Sequence, residues 1–352
     1  MSAELDAIRA GNEDAFRVLA EVHRPELRAH CYRMVGSLDD ADELVQDTLV
    51  AAWRGLEAFE GRSSLRTWLY RIATNRCLNA IRDGRRRPPP APEPPFAAPP
   101  PSRTVDVPWL QPHPDADGTG ETDRADPARS AEEREAIELA FVTALQRLPA
   151  RQTAALLLCD VVGFTIAEVA GLLEVPPTTV KGVLQRARAG IATASPAAAG
   201  RRAAPEEEAS LARRFADAFT ADDIDGVVAL LTDDAWLAMP PALHDYRGRS
   251  AIAGFLAASA SWRAGRRLGL VATTANTQPA FGCYFAEDPA APAPFTGIIV
   301  LTTVDGAIGG ITRFMDPGLR RWFALPPELA PGKTRTGPTE MPRVARQWGQ
   351  YS

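Results

Sequence analysis

The feature that most constrains this chain is a proline-rich segment near its middle. Between residues 88 and 127, 13 of 40 residues are proline, which excludes regular helix and favours extended polyproline structure. Between 88 and 133, nine acidic residues outweigh three arginines, a net charge of −6. Such a segment cannot build a packed core, so we expect 88–133 to be an extended acidic linker between folded domains.

The overall composition excludes several classes of protein. A chain of 352 residues with 45% hydrophobic and 24% charged residues is ordinary for a globular protein of two or three domains. The net charge of −5 excludes a histone-like coat of positive charge but not a local basic face. The four cysteines form no CxxC pair, which favours free thiols over a disulfide framework or a metal site. No signal peptide or membrane-spanning run is visible, so we expect a cytoplasmic protein. The histidines show no metal-ligand spacing and no cofactor motif is present, so we expect no metal and no cofactor.

Hydrophobic periodicity divides the rest of the chain. Residues 1–87 and 134–194 show helical spacing, whereas 206–329 combine one or two helices with strand-like runs and a hairpin signal at Asp305–Gly306. The predicted fold class is a mainly α N-terminal half of two helical domains, followed by a C-terminal α+β domain. The tail at 330–352 is polar and is expected to be loose.

The strongest local motif is a predicted helix-turn-helix at Gly163–Arg188. Thr165 is placed to cap a short helix, Glu174–Pro177 to make a turn, and Thr178 or Thr179 to cap a second helix. Donors on such a second helix reach base edges and phosphates in the major groove. The alternative is a plain helical hairpin with a solvated cationic face. The residues predicted to face outward on the second helix are Lys181, Gly182, Gln185, Arg186 and Arg188.

Charge is segregated within the first helical domain. Residues 1–60 hold thirteen acids and six arginines, net −7, and residues 62–87 hold eight arginines and one acid, net +7. The basic part is interleaved with Trp68 and Tyr70, beside Phe59. Arginines among aromatic and small polar residues suit a single nucleic-acid strand, through phosphate pairing, stacking and base-edge hydrogen bonds. For Trp68 itself, a place in the core is the alternative.

These segments resemble a known family. The stretch DDADELVQDTLVAAWRGLEAFEGRSSLRTWLYRIATNRCLNAIR is similar to region 2 of bacterial RNA polymerase sigma factors of the extracytoplasmic-function class. Residues 141–190 are similar to region 4, so the resemblance covers about the first 190 residues. WLQPHPD at 109–115 resembles a signature of the subgroup that carries a C-terminal SnoaL-like domain. The resemblance implies a factor that binds core RNA polymerase and directs promoter-specific transcription initiation.

The resemblance assigns roles residue by residue. Glu43, Gln46 and Asp47 match the helix that docks on the clamp helices of the polymerase β′ subunit, and the β subunit is a second expected partner. The matches to the elements that capture and read the −10 promoter strand are Phe59, Arg62, Ser63, Ser64, Arg66, Thr67, Arg71, Thr74 and Asn75. The expected readers of the −35 element in promoter DNA are Thr178, Thr179, Lys181, Gly182, Gln185, Arg186 and Arg188.

The turn and the linker each differ from, or add to, the family pattern. The turn usually written Leu-Gly-Ile-Pro has Glu174 in place of glycine, at a position where glycine eases a left-handed backbone. In the family the segment between the two domains threads through the polymerase. The acidic linker here either imitates nucleic acid in a positively charged channel or is an inert tether.

Residues 206–329 resemble SnoaL-like cone-shaped α+β domains. We expect this domain to modulate activity, with a small-molecule ligand or a regulatory protein as its partner. The alternative is that its aromatic side chains form only a core. The residues available to line a pocket in its mouth are Trp236, Met239, Phe255, Trp262, Phe281 and Tyr284.

Two other functions compete with a sigma factor. The first is a SnoaL-like cyclase or isomerase fused to DNA-binding helices; its general base would be one of Asp234, His244, Asp245 and Glu287, and nothing in the sequence shows which of them points inward. The second is a one-component repressor, which would need a dimer for two half-sites. Neither explains the charge segregation in 1–87, so we expect no enzymatic activity and name no catalytic residue.

Overall fold

A computed structural model of the chain describes residues 12–56, 59, 61, 63–84, 94–102, 110–115, 138–194, 204–242, 244–331 and 335–336. The chain divides into two compact units. The first unit comprises residues 1–91 and 106–200, and the second comprises 92–105 and 201–352. The first is helical and the second combines helices with a sheet, which confirms the predicted fold class.

The amino-terminal part of the first unit contains three helices that pack on one another. Each begins at a polar cap, as the sequence favours: the side chains of Asn12, Ser37 and Ser64 accept hydrogen bonds from backbone N–H groups in the first turn. The predicted apolar faces are largely buried, although Val22 is exposed. The helices are α1 (Glu13–Val35), α2 (Leu38–Gly55) and α3 (Leu65–Arg82).

The carboxy-terminal part of the first unit contains the predicted helix-turn-helix. Thr165 and Glu168 form a reciprocal capping box at the start of its first helix. The second helix begins at Pro177, so the prediction that Thr178 or Thr179 caps it was wrong; proline at the first position already has a helical φ and needs no N–H. The helices are α4 (Leu139–Leu145), α5 (Ala150–Leu156, continued by a π-helical turn at Leu157–Val161), α6 (Ile166–Leu173) and α7 (Pro177–Ala194).

The second unit combines a sheet with helices that pack on one of its faces. Its elements are α8 (Pro205–Thr220), α9 (Ile224–Ala229), β1 (Leu231–Ala238), β2 (Asp245–Arg247), α10 (Arg249–Arg263), β3 (Arg267–Ala275), β4 (Gln278–Ala286), β5 (Ala293–Val304), β6 (Ala307–Phe314), a 3-10 helix (Pro317–Trp322), β7 (Glu328–Leu329) and β8 (Arg335–Thr336). The sheet order is β2-β1-β6-β5-β4-β3-β8, with β7 paired to β5. Asp305 and Gly306, both with positive φ, turn the hairpin between β5 and β6 as predicted.

Side chains alternate between the two faces of this sheet, as strand geometry requires. The helix-covered face carries Phe281 and Ile299, which are cross-strand neighbours and pack into one buried cluster with Phe215 of α8 and Phe255 of α10. On the opposite face Gly282 lies against the segment after β6: a Cβ at this position would come within 2.7 Å of a side-chain carbon of Leu325. Both faces of the sheet are therefore packed.

The described parts of the predicted linker pack against folded elements. Residues 94–102 belong to the second unit and residues 110–115 to the first. Neither segment is helical, in keeping with the proline content. The rest of the linker, and most of the tail predicted to be loose, lie outside the described residues. No helix among the residues described above is long and apolar enough to cross a membrane.

Candidate nucleic-acid interface

The residues predicted to contact polymerase lie together on α2. Glu43 and Gln46 are exposed and Asp47 is half-buried, at spacings of three and four residues that place them on one helical face. Glu43 and Asp47 also line a shallow cleft with Val35, Asp40, Leu44, Ala80 and Ile81. The face is therefore acidic, accessible and bordered by apolar side chains.

The start of α2 is fixed by the linker motif. The Leu38 N–H donates to Oε1 of Gln111 at 2.7 Å, and the Gln111 N–H donates to the Gly36 carbonyl at 2.7 Å. The Tyr32 hydroxyl in turn donates to the Gln111 carbonyl at 2.8 Å. Because the first N–H groups of a helix have no partner within it, Gln111 extends the cap made by Ser37. The resemblance singled out this motif, but nothing in its sequence showed where it would bind.

The linker motif WLQPHPD also contributes a buried histidine, His113. His113 packs against the Tyr32 ring, with centroids 4.9 Å apart. Burial, assisted by the charges of Arg28 and Arg33, lowers the pKa of His113 to about 3. Burial together with Arg33 likewise lowers the pKa of His30 to about 3. Both imidazoles are therefore neutral at pH 7.

The residues predicted to capture the −10 strand start at the amino-terminal end of α3. Ser64 caps this helix: its Oγ accepts from the Thr67 N–H at 3.0 Å and lies 2.8 Å from Thr67 Oγ1. Ser63 is exposed beside the cap. Arg62 lies outside the described residues. The cap thus fixes the positions of Ser64 and Thr67 relative to the helix axis.

Arg66 lies in a cluster of charged and aromatic side chains. Its Nε is 2.8 Å from Oε2 of Glu26, and its guanidinium lies 5.1 Å from the ring centroid of Tyr70 and 5.3 Å from that of Phe164. Tyr70 and Phe164 pack edge to face at 5.4 Å. Burial disfavours the Glu26 carboxylate, but hydrogen bonds from His23 and Arg66 outweigh it and lower the pKa of Glu26. Since Phe164 directly precedes Thr165, the cap of α6, this cluster joins the two helical parts of the first unit.

Burial separates the remaining predicted −10 residues into two groups. Thr74 is fully buried and hydrogen-bonds His30, with 3.0 Å between Oγ1 and Nε2, so its assignment as a base reader is corrected to a core residue. Phe59 is also buried, with its ring centroid 4.9 Å from that of Trp68. The core alternative for Trp68 therefore agrees with the structure. Arg71 and Asn75 are exposed on the same side of α3.

The second helix of the helix-turn-helix presents the predicted −35 face. Thr178, Thr179, Lys181, Gln185, Arg186 and Arg188 are exposed, and Gly182 is half-buried. Arg188 makes a bidentate ion pair with Asp160, at 2.9 and 2.7 Å. In the turn, Glu174 adopts the left-handed conformation with φ 56° and ψ 45°, the geometry for which glycine is the easier residue.

The residues predicted to line a pocket in the C-terminal domain do not share one face. Met239, Phe255 and Phe281 belong to the buried cluster on the helix-covered face, and Trp262 of α10 stacks on Phe285 at 5.0 Å. Tyr284 lies on the opposite face, where its hydroxyl donates to the Pro326 carbonyl. Trp236 lies between Ala235 and Leu237 of β1, which belong to the buried cluster, so its own side chain is on the opposite face, where it packs over Gly310. The assignment of Trp236 and Tyr284 to the same pocket as Phe281 was therefore wrong.

The candidate general bases of the enzyme hypothesis are scattered. Asp234 and Glu287 are exposed. Asp245 is buried and paired with Arg247, with 2.8 Å between Oδ1 and Nε. His244 lies beside the Tyr246 hydroxyl, with 3.4 Å between Nδ1 and the oxygen. These four residues form no shared acid–base arrangement.

A further contact of the C-terminal domain was not anticipated from the sequence. The linker residue Phe96 packs between Phe255 and Trp262, with ring centroids 5.5 and 6.1 Å away. The Tyr246 hydroxyl donates to the Pro99 carbonyl at 2.8 Å. Ser102 then pairs with β2: its N–H donates to the Asp245 carbonyl, and its Oγ accepts from the Arg247 N–H. We call residues 94–102 the linker anchor.

Comparison with known proteins agrees with this architecture. Three family models match the chain: Sigma-70 region 2 at residues 19–87, Sigma-70 region 4 at 131–190 and the SnoaL-like domain at 212–310. These matches define an RNA polymerase sigma factor with an additional C-terminal domain.

Among the individual proteins that resemble this chain are sigma factors of the ECF class. The chain is 41% identical over 319 residues to the ECF RNA polymerase sigma factor SigG of Mycobacterium tuberculosis (strain ATCC 25618 / H37Rv), covering 89% of this chain and 85% of the relative. It is 30% identical over 183 residues to SigM of the same strain, covering 52% of this chain and 78% of SigM. The crystal structure of Mycobacterium tuberculosis SigJ shares the fold, with a TM-score of 0.58 at 20% identity, covering 86% of this chain and 97% of SigJ.

The chain belongs to the ECF RNA polymerase sigma factors. It directs promoter-specific transcription initiation, as sigma factors do by binding core RNA polymerase and promoter DNA. Its relatives are sigma factors and not enzymes, which favours this function over the fused-enzyme alternative.

Proposed function

We propose that the acidic face of α2 is the polymerase contact and docks on the β′ clamp helices. Glu43, Gln46 and Asp47 support this because they are accessible, share one face and border an apolar cleft. Gln111 strengthens the cap of the helix that presents them. The linker motif thereby holds α2, the proposed contact helix, in place. The polymerase β subunit is a further proposed partner.

We propose that α3 and α7 bind the two promoter elements. On α3 the accessible residues are Ser63, Arg71 and Asn75. Arg66 joins them when it leaves its ion pair with Glu26 and its contact with the Phe164 ring. On α7 the exposed donors face outward along one helix, as major-groove binding requires. This exposed cationic helix within a capped helix-turn-helix is the observation that carries the proposed DNA contact.

We also propose that the C-terminal domain modulates initiation through the linker. The linker anchor lies on this domain, while residues 110–115 pack on the start of α2. Only residues 103–109 separate these two attached segments in the sequence. A linker held at 94–102 cannot at the same time lie along the polymerase, so the anchor restrains initiation and its release raises activity.

Two substitutions in the full chain test the modulation. Phe96→Ser removes the ring that packs on Phe255 and Trp262, and Ala97→Ser changes an exposed neighbour in the same segment. With core polymerase and a matched promoter, the first variant should give more run-off transcript than wild type, and the second should equal wild type. If both variants transcribe like wild type, the anchor has no regulatory role.

A further inference from the structure

One exposed cation of α7 is held by a carboxylate from the end of α5. Arg188 donates from Nε to Oδ2 of Asp160 at 2.9 Å and from Nη2 to Oδ1 at 2.7 Å. Asp160 lies in the π-helical turn Leu157–Val161 that continues α5. Such turns are rare and occur frequently at functional sites. The ion pair therefore joins this turn to the second helix of the helix-turn-helix.

The ion pair leaves the guanidinium accessible to a further anion. An arginine side chain has five N–H donors, and the two bonds to Asp160 use two of them. In this paired state 61% of the Arg188 side-chain surface is exposed, against 32% for Asp160. Arg188 can therefore donate to an external anion without leaving its carboxylate partner.

The position of Arg188 along α7 indicates which anion this is. Lys181, Gln185 and Arg188 follow at intervals of four and three residues, so they share one helical face. At 1.5 Å per residue, Arg188 lies about 10 Å further along the helix axis than Lys181. The amino-terminal residues of a recognition helix contact base edges in the major groove. A cation this far along the helix is placed to meet the DNA backbone, whose phosphates fix the orientation of the protein on the duplex.

We propose that Asp160 is a positioning residue for −35 recognition, because it holds the Arg188 guanidinium ready for one phosphate of promoter DNA. This inference rests on the proposed DNA contact of α7. Two fixed N–H···O bonds restrict a flexible side chain in advance, so less conformational freedom is lost when the phosphate binds. Solvent and salt screen the repulsion between the phosphate and the partly exposed Asp160 carboxylate. A carboxylate that merely competed with DNA for Arg188 would have the opposite effect, since its removal would strengthen binding.

The test uses holoenzyme reconstituted from core polymerase and the full chain, and it measures affinity for promoter fragments with a matched −35 element. In each fragment one phosphate of this element is replaced with a neutral methylphosphonate. The variants are Asp160→Asn, which keeps the shape of the side chain but removes its charge, and Arg188→Ala. Glu174→Gln removes a negative charge from the exposed turn and is the matched control. Lys181→Ala tests separately whether α7 contacts DNA.

We expect one phosphate whose replacement weakens wild-type binding about tenfold, as the loss of a charge-assisted contact should. The same replacement should have almost no effect in Asp160→Asn and Arg188→Ala, and its full effect in Glu174→Gln. On unmodified DNA, Asp160→Asn should bind about threefold to tenfold more weakly than wild type. A purely structural ion pair would instead weaken binding to every fragment by the same factor and leave the dependence on that phosphate intact.

The proposal is overturned if Asp160→Asn binds unmodified DNA as tightly as wild type or more tightly, or if it keeps the dependence on that phosphate. It is also overturned if no phosphate loses its effect in Arg188→Ala. When Lys181→Ala still weakens binding, these outcomes refute only the role of Asp160. When Lys181→Ala binds like wild type, the proposed DNA contact of α7 is itself wrong.

Discussion

The buried His113 makes a quantitative prediction about pH. Its pKa is about 3 in the folded protein because of burial and the charges of Arg28 and Arg33, and about 6.5 when unfolded. Below pH 6.5 the unfolded chain takes up a proton that the folded chain does not, so stability falls as pH falls. Between pH 7 and pH 5 this one imidazole should cost about 2 kcal/mol.

The variant His113→Phe isolates this contribution. It keeps a ring against Tyr32 but cannot titrate, while every other ionisable group stays the same. We expect the free energy of unfolding to fall by about 2 kcal/mol more in wild type than in the variant between pH 7 and pH 5. Between pH 8 and pH 7 the two proteins should change almost in parallel, because His113 is neutral in the folded state and mostly neutral in the unfolded state.

The measurement must report the first unit separately from the C-terminal domain. Urea unfolding followed by pulsed hydrogen exchange and mass spectrometry does so, because peptides within 13–82 come only from the first unit. If the pH dependence of those peptides is the same in both proteins, His113 is not a buried neutral group. The docking of the linker motif on α1 and α2 would then be wrong.

Three further predictions follow from local geometry. Glu174→Gly should stabilise the first unit by about 1 kcal/mol in urea unfolding, because Glu174 is left-handed; unchanged stability would contradict this. Gln185→Ala should weaken use of the matched promoter selectively, whereas Arg188→Ala should weaken binding to all sequences and reduce the salt slope by about 1; equal selectivity in both variants, measured by filter binding, would refute the assignment. Gly310→Ala should destabilise the C-terminal domain by about 1–3 kcal/mol in thermal unfolding, because its Cβ would lie 2.2 Å from a Trp236 ring carbon; an unchanged melting temperature would contradict this.

Local patterns in the sequence predicted local structure well. The cap at Thr165, the hairpin at Asp305–Gly306 and the exposure of Lys181, Gln185 and Arg186 on α7 all depend on neighbouring residues, and each agrees with the structure. The sequence did not show where each strand of the C-terminal domain begins and ends, and β1 was not recognised as a strand.

Contacts between distant residues could not be predicted from one sequence. The resemblance assigned Thr74 as a DNA reader, but its hydrogen bond to His30 depends on how α1 and α3 pack. To predict on which face of the sheet Trp236 and Tyr284 lie requires the exact strand register, since a shift of one residue moves a side chain to the opposite face. The contacts of Phe96 and Gln111 depend on tertiary partners that a proline-rich composition does not reveal.

The central claim is that this chain, with core RNA polymerase, starts transcription at specific promoters. The most direct measurement is run-off transcription with purified core polymerase and the full chain on a library of genomic fragments. We predict transcripts with defined start sites that require the chain and disappear when the donors of α7 are removed by Lys181→Ala, Gln185→Ala and Arg186→Ala together. The claim is contradicted if the chain fails to bind core polymerase, or binds it without directing initiation from any fragment.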